Sequence, residues 1–272
     1  MPFRRIILFA IMTLLMTPLF AKEHLTPQNL IARSDALYYT PSAHGITDLA
    51  VDIVIDQLSN DPVGKNSAIT YYYAGDNQER VAIANIPDTQ SAYRDKLIAL
   101  VSPFSQYLMP RPASVTFAGM TLSMTKVTRV LPGVKGTTFY QIIGRSATPK
   151  DGVKEYRVLL DKGGALYQIE NVLADESLIV ASVENKHTDA GWHVVSLSTR
   201  LKPKNQSFIW QTVKITYGSV NGYVLPVGLT VTYRDEVNHP VKGYNDLAAS
   251  FTNYRINIGI AHATLRMTAD KQ

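Results

Sequence analysis

Apolar and polar residues alternate along most of the chain between residues 154 and 233, and turn residues separate the short apolar runs. A two-residue period is typical of strands that bury one face. The last hairpin is the clearest, because Asn221 and Gly222 can take the positive φ angles of a tight turn. This pattern predicts an antiparallel meander with a polar loop over residues 185–191 and strands over residues 155–160, 165–173, 177–184, 192–201, 207–217 and 223–233.

Further apolar runs on both sides of this meander predict additional strands. The alternation over residues 49–56 is the most regular of them. A turn signal around Gly75 separates the two runs that follow it. The segment 257–272 fits neither a strand nor a helix pattern clearly. The additional strands are predicted over residues 49–56, 67–74, 79–86, 136–146 and 246–256, and residues 115–130 give further strand material.

Two segments have the signals of helices instead. Thr26 can cap a helix that has Pro27 in its first turn and ends near Tyr38. Residues 88–108 carry apolar side chains at spacings of three and four, and Pro103 is expected to kink this helix or end its regular part. We therefore predict a mainly β (α+β) fold of about ten to eleven strands, whose apolar face two or three helices cover.

The first residues have the layout of an export signal. Arg4 and Arg5 precede an apolar stretch, and cleavage is expected after Ala21, which leaves one domain over residues 22–272. Length alone would also permit two small domains. An uncleaved anchor is the alternative, although about 15 apolar residues are few for a bilayer span. The chain has no cysteine, and Lys22 follows the cleavage point, so a bacterial lipid anchor is excluded and a periplasmic location is expected.

Charge and motifs exclude several classes of function. The formal net charge is +5, but two of those charges lie in the export signal, and no basic run indicates nucleic-acid binding. No histidine pair has metal-binding spacing, and no nucleophile elbow, phosphate loop or dinucleotide fingerprint occurs. His187 and His193 surround the predicted polar loop, which we interpret as a solvated hairpin. We therefore expect no cofactor, no metal and no catalytic site.

A broad apolar sheet face with few helices to cover it can leave a hydrophobic cavity, and such cavities bind apolar ligands. The alternative is that the sheet and helices pack fully and that the same side chains form an ordinary core. If a cavity exists, its wall is predicted to consist of Val213, Ile215, Tyr217, Tyr223, Leu225, Val227, Leu229 and Val231, closed by Leu97, Val101 and Phe104.

The order of elements resembles the periplasmic lipoprotein carrier (LolA-like) superfamily, which includes outer-membrane lipoprotein-sorting proteins. Three stretches carry the resemblance: Tyr38 and Tyr39 after a helix and before the strand at 49–55, the strand start at 222–226, and the segment 251–257. Members of this family fold as a curved antiparallel half-barrel over helices, with a hydrophobic cavity that shields acyl chains.

The resemblance implies a non-enzymatic periplasmic carrier that takes lipoproteins or lipids towards the outer membrane, with acyl chains as its partners. The resemblance also allows an inner-membrane or outer-membrane protein as a partner. Relatives with the same fold serve as sensors, so an envelope sensor or interaction protein that binds a membrane protein is the alternative. An enzyme is the third possibility and has no motif in its favour.

Overall fold

The computed structural model describes residues 25–61, 63–75, 78–131, 138–150, 152–201 and 208–269. The predicted export signal and its cleavage point lie outside the described residues. None of the helices in the described part of the chain is long and apolar enough to cross a membrane.

One antiparallel sheet dominates the structure. Among the described residues it has twelve strands in the order β3-β2-β1-β12-β11-β10-β9-β8-β7-β6-β5-β4, which is one or two strands more than predicted. The first and last strands of this order pair with one neighbour each, so the sheet is an open, curved half-barrel and the predicted fold class is confirmed. The strands are β1 (Leu49–Ile55), β2 (Ala68–Tyr73), β3 (Glu79–Ala84), β4 (Thr121–Thr128), β5 (Thr138–Lys150), β6 (Val153–Leu160), β7 (Leu166–Leu173), β8 (Leu178–Thr188), β9 (Gly191–Leu201), β10 (Ile209–Val220), β11 (Tyr223–Arg234) and β12 (Leu247–Ile256).

The hairpin between β10 and β11 has the predicted turn. Asn221 and Gly222 take φ angles of 51° and 85°, and Val220 pairs with Tyr223 on either side of them. Farther along, the pairing shifts between Thr216 and Tyr217, so that one residue of β11 is left over. Such a bulge bends the strand locally and increases its twist.

The helices are α1 (Pro27–Leu37), α2 (Ser91–Val101), α3 (Ser105–Leu108), α4 (Ala113–Thr116) and α5 (Ile260–Ala269). Helix α1 begins as predicted, because the Thr26 hydroxyl accepts the Asn29 amide at 3.1 Å. The predicted break at Pro103 is also confirmed, since a short 3-10 turn over Ser102–Phe104 separates α2 from α3.

Buried apolar side chains form two clusters. The first core lies between α2, α3 and the strands β1, β2, β10, β11 and β12, and includes Val51, Tyr71, Phe104, Leu225 and Phe251. The second core lies between α1 and the strands β5 and β6, and it includes Leu30, Ile31, Phe117, Ile142 and Leu160.

Three predictions of local structure were wrong or incomplete. The start of residues 115–130 belongs to α4 rather than to a strand, because the Asp35 carboxylate accepts the Ala113 and Ser114 amides at 2.6 and 3.1 Å and stabilises a helical turn there. The polar loop over residues 185–191 is mostly strand, since β8 continues to Thr188 and β9 begins at Gly191. The ambiguous segment after residue 257 contains α5.

Candidate ligand-binding cavity

The sheet separates along part of the boundary between β9 and β10. These strands pair from Leu201 opposite Ile209 to Ser196 opposite Lys214, and the recorded pairing ends there. Beyond that point β9 continues beside β8, and β10 continues beside β11. The two strands therefore diverge over residues 191–195 and 215–220, and this region of the sheet is open.

The chain that follows α1 enters this opening. The Tyr39 amide donates to the Trp192 carbonyl at 2.9 Å, and Tyr38 forms a parallel bridge with Trp192. Gly191 makes this approach possible, because it has a φ of 120° and a Cβ at this position would lie 3.1 Å from the Leu37 carbonyl oxygen. The end of α1 is thereby tied to the start of β9.

Aromatic side chains line the opening. The His193 ring lies between Tyr39 and Tyr217, with centroid distances of 5.2 and 4.8 Å. Its Nε2 is 2.9 Å from the Thr188 hydroxyl, and the Tyr217 hydroxyl donates to the Val194 carbonyl at 3.2 Å. His193 is only 3% exposed, so its interpretation as part of a solvated hairpin was wrong. Burial lowers the pKa of His193, and the nearby His187 and His44 lower it further.

A cavity of about 220 Å³, which we call the α1 cavity, lies beside this aromatic group. Helix α1 and the segment from Pro110 to Phe117 form one side of it, and the strands β6, β7, β9 and β10 form the other. Its surface is mostly apolar. The apolar side is provided by Tyr38, Pro112, Phe117, Tyr156, Val158, Leu166, Ile169, Trp192, Val194 and Tyr217.

Most polar groups around the α1 cavity are already engaged in structural contacts. The Asp35 carboxylate caps α4, and Arg157 forms an ion pair of 2.7 Å with Glu155. The Tyr38 hydroxyl accepts the Leu166 amide at 2.9 Å, and burial raises the pKa of Tyr38 to about 12. A phenol with that pKa stays protonated near neutral pH and is poorly suited to act as a general acid or base. The cavity is therefore suited to holding an apolar group.

Most of the predicted wall lies in the first core. Leu225 and Leu229 are 0% and 2% exposed, and Leu97 is buried on α2. Tyr223 packs against this core while staying partly exposed, and half-buried Val227 lies beside Gly218, where it leaves no room for a Cβ. The predicted wall residues within the first core are Val101, Phe104, Val213, Ile215, Leu225, Leu229 and Val231.

Three of these residues line a second cavity. Phe104, Val213 and Val231 contribute to a space of about 280 Å³ between α2, α3 and the strands β10, β11 and β12, which we call the α2 cavity. Tyr217 lies at the α1 cavity instead. Ile215 and Tyr217 also line a third space, where β9 and β10 diverge. The structure thus distributes the predicted wall between a packed core and three cavities, and a role of these residues in ligand binding stays a prediction.

Sequence reasoning missed the main residues of the α1 cavity, namely Phe117, Val158, Ile169 and Trp192. They come from four separate parts of the chain. Val158 and Ile169 meet because β6 pairs with β7, and the fold brings Phe117 and Trp192 to the same space. The pair Tyr38 and Tyr39 was the available signal, since two aromatic residues directly after a helix need a surface to pack against.

No protein-family model and no curated protein matches this sequence. Among solved structures, the chain is similar to a crystal structure described as an outer membrane lipoprotein-sorting protein domain from Vibrio parahaemolyticus. The alignment has a TM-score of 0.33 and 8% sequence identity, and it covers 84% of this chain and 91% of that chain. The fold and the cavity by themselves define this protein as an open antiparallel half-barrel with helical cover and an apolar cavity.

Proposed function

We propose that this protein is a non-enzymatic binding protein that holds an acyl chain of a lipid or lipoprotein in the α1 cavity and carries it through the periplasm towards the outer membrane. The observation that supports the proposal is the apolar space between α1, Phe117 and the strands β6, β7 and β9. Aromatic and aliphatic side chains line it from both sides, as in sites that take apolar ligands.

The size of the α1 cavity suits one hydrocarbon segment. An apolar cavity of about 150 Å³ stays dry and binds benzene. The α1 cavity has about 220 Å³, so it has room for a somewhat larger apolar group. Each buried CH₂ contributes about 0.8 kcal/mol, and about six of them would contribute about 5 kcal/mol without any polar contact. A longer chain would extend out of the cavity.

The arrangement of charged groups favours binding over catalysis. A catalytic site needs a nucleophile, base or acid that converges on a free space. At the α1 cavity, Asp35 is held by two backbone amides and Arg157 by Glu155. These contacts stabilise the elements that surround the cavity. The two charged side chains therefore have a structural role there.

The wall predicted from the sequence provides a second candidate position for the ligand. Phe104, Val213 and Val231 give the α2 cavity an apolar side, while Tyr107 and Gln211 make other parts of it more polar. We expect this cavity to hold an alkyl chain less well than the α1 cavity does, because polar lining groups lose contact with water when an apolar ligand enters.

Mass spectrometry of organic extracts tests the proposal. The protein is purified from its native cells without detergent, and its extract is compared with that of the variant Ile169→Trp, which fills the α1 cavity. We expect a stoichiometric lipid or acylated peptide from the native protein and much less from the variant, while Leu178→Trp, at an exposed position, keeps the native amount. A lipid-free native protein of normal stability would contradict the proposal and favour an envelope sensor.

A further inference from the structure

The α1 cavity has a neighbour with which it shares two side chains. A space of about 450 Å³, which we call the strand-gap cavity, lies where β9 and β10 diverge. His193 and Tyr217 line both this space and the α1 cavity. These two side chains are therefore the partition between the two cavities.

Side-chain contacts, and no backbone ladder, hold this partition in place across the opening. The Tyr217 hydroxyl donates one hydrogen bond to the Val194 carbonyl at 3.2 Å. His193 is fixed from its own side, through Thr188 on β8 at 2.9 Å. No backbone ladder between β9 and β10 is recorded at residues 191–195 and 215–220. At these residues the two cavities are therefore separated by side chains and not by a backbone ladder.

The two cavities differ in chemistry. The α1 cavity is apolar, whereas the strand-gap cavity has Lys186, Thr188 and Ser219 in its lining. Lys186 lies on the exposed part of β8, and the structure records no ion pair for it among the described residues. Hydroxyl and ammonium groups donate hydrogen bonds to an anion, and a lysine adds a favourable charge.

We propose that the two cavities together bind a single-chain anionic amphiphile, such as a fatty acid. Its alkyl chain lies in the α1 cavity and passes the His193 and Tyr217 partition. Its carboxylate meets Lys186 and Ser219 at the strand-gap cavity, while the Thr188 hydroxyl stays bound to the Gly191 carbonyl and His193. This inference rests on the proposed function, since it requires the α1 cavity to hold an alkyl chain.

Three observations favour a single-chain anionic amphiphile as the occupant. The α1 cavity has room for one hydrocarbon segment, because its volume is about 220 Å³. The change from apolar to polar lining runs from one cavity to the next, in the same order as tail and head in an amphiphile. The positive charge of Lys186 complements an anionic head rather than a neutral one.

A displacement experiment with a neutral probe tests the inference separately from the proposed function. Diphenylhexatriene, which is apolar and fluorescent, is bound to the full chain and displaced by oleate or by oleyl alcohol, which have the same chain and different heads. We expect oleate to displace the probe at a roughly threefold to fivefold lower concentration than the alcohol, which is the size of an exposed ion-pair contribution. High salt should reduce this advantage.

Two lysine variants locate the contact. Lys186→Gln should remove the advantage of oleate, while Lys214→Gln, a matched change at an exposed position of β10, should keep it. Equal displacement by both ligands in the native protein, or an advantage that survives Lys186→Gln, would overturn the inference and leave the proposed function intact. Failure of the probe and both ligands to bind would overturn the proposed function itself.

Discussion

Tyr217 and His193 lie with ring centroids 4.8 Å apart, on two neighbouring strands that have ceased to pair with each other. Between the two strands, the side chains take the place that backbone hydrogen bonds occupy elsewhere in the sheet. The ladder continues on the outer sides, where β9 pairs with β8 and β10 pairs with β11. This relationship creates an opening inside a continuous sheet, and both cavities that we assign to the ligand lie beside it.

The protonation of His193 should make stability depend on pH. Burial lowers the pKa of His193 in the folded state, and its surroundings are Tyr39, Tyr217, the Thr188 hydroxyl and two further histidines, His44 and His187. The unfolded chain has a histidine pKa near 6.5, so below that pH it binds more protons than the folded chain does. The free energy of unfolding should therefore be highest above about pH 6.5 and decrease as the pH drops below that value.

Urea unfolding at several pH values between 5 and 8 checks this expectation. The variant His193→Gln should show a smaller fall on the acidic side than the native protein. His239→Gln is the matched control, since its ring is 76% exposed, and it should follow the native curve. If His193→Gln shows the same pH dependence of the free energy of unfolding as the native protein, another titrating group causes that dependence.

Gly164 should be required for the position of α1. It has a φ of 99°, and a Cβ there would lie 2.7 Å from the Ser34 amide nitrogen within α1. Gly164→Ala should reduce the free energy of unfolding by about 2–5 kcal/mol, because it adds a left-handed backbone strain and a clash with the helix. Gly222→Ala has a similar φ of 85° and open space around it, so it should cost only about 1–2 kcal/mol.

Chemical denaturation measures both glycine variants. Hydrogen exchange of the α1 amides gives an independent readout, since a displaced helix should exchange faster in Gly164→Ala than in Gly222→Ala. Equal stability losses in the two variants would contradict the close packing of α1 on this turn.

Asp48 should hold the last helix in place. It is 2% exposed, and its carboxylate accepts the Gly259 amide at 3.1 Å and the His262 amide at 2.8 Å at the start of α5. Asp48→Ala removes this distant cap and should cost about 1–2 kcal/mol, with faster amide exchange in α5. Asp48→Asn keeps an acceptor oxygen and should lose less. Unchanged exchange in α5 after Asp48→Ala would rule out the capping role.

Leu229 tests the wall predicted from the sequence. It is 2% exposed in the first core, so Leu229→Ala should lower the free energy of unfolding by about 2–5 kcal/mol through the loss of packing. The same variant is then assayed for binding of alkyl chains of several lengths. A changed length preference would indicate that the wall contacts ligand, whereas unchanged binding would place Leu229 in a purely structural core.

The fold was largely predictable because apolar and polar residues alternate in the sequence wherever a strand buries one face. The turn at Asn221 and Gly222 and the break at Pro103 have local causes, so they could be read from neighbouring residues. The turn of α4 could not be predicted, because its cap is the Asp35 side chain, which is 78 residues away from Ala113.

The α1 cavity was not predictable for a related reason. It depends on where the pairing of β9 with β10 ends, and the alternation in each strand does not encode that point. His193 was placed in a solvated loop because polar residues around it indicated a turn, yet β8 and β9 extend past them. Gly164 lies directly before the predicted strand over residues 165–173, and only the structure reveals its contact with α1.

A crystal structure with an ω-bromo fatty acid tests the central claim most directly, because anomalous scattering locates the bromine at the end of the alkyl chain. We expect a bromine peak inside the α1 cavity, within contact distance of Phe117, Val158 and Ile169, and no equal peak in Ile169→Trp. A peak in the α2 cavity would move the site to the wall predicted from the sequence. Bromine found only on the outer surface, or not at all at saturating ligand, would contradict the assignment of this protein as an acyl-chain carrier.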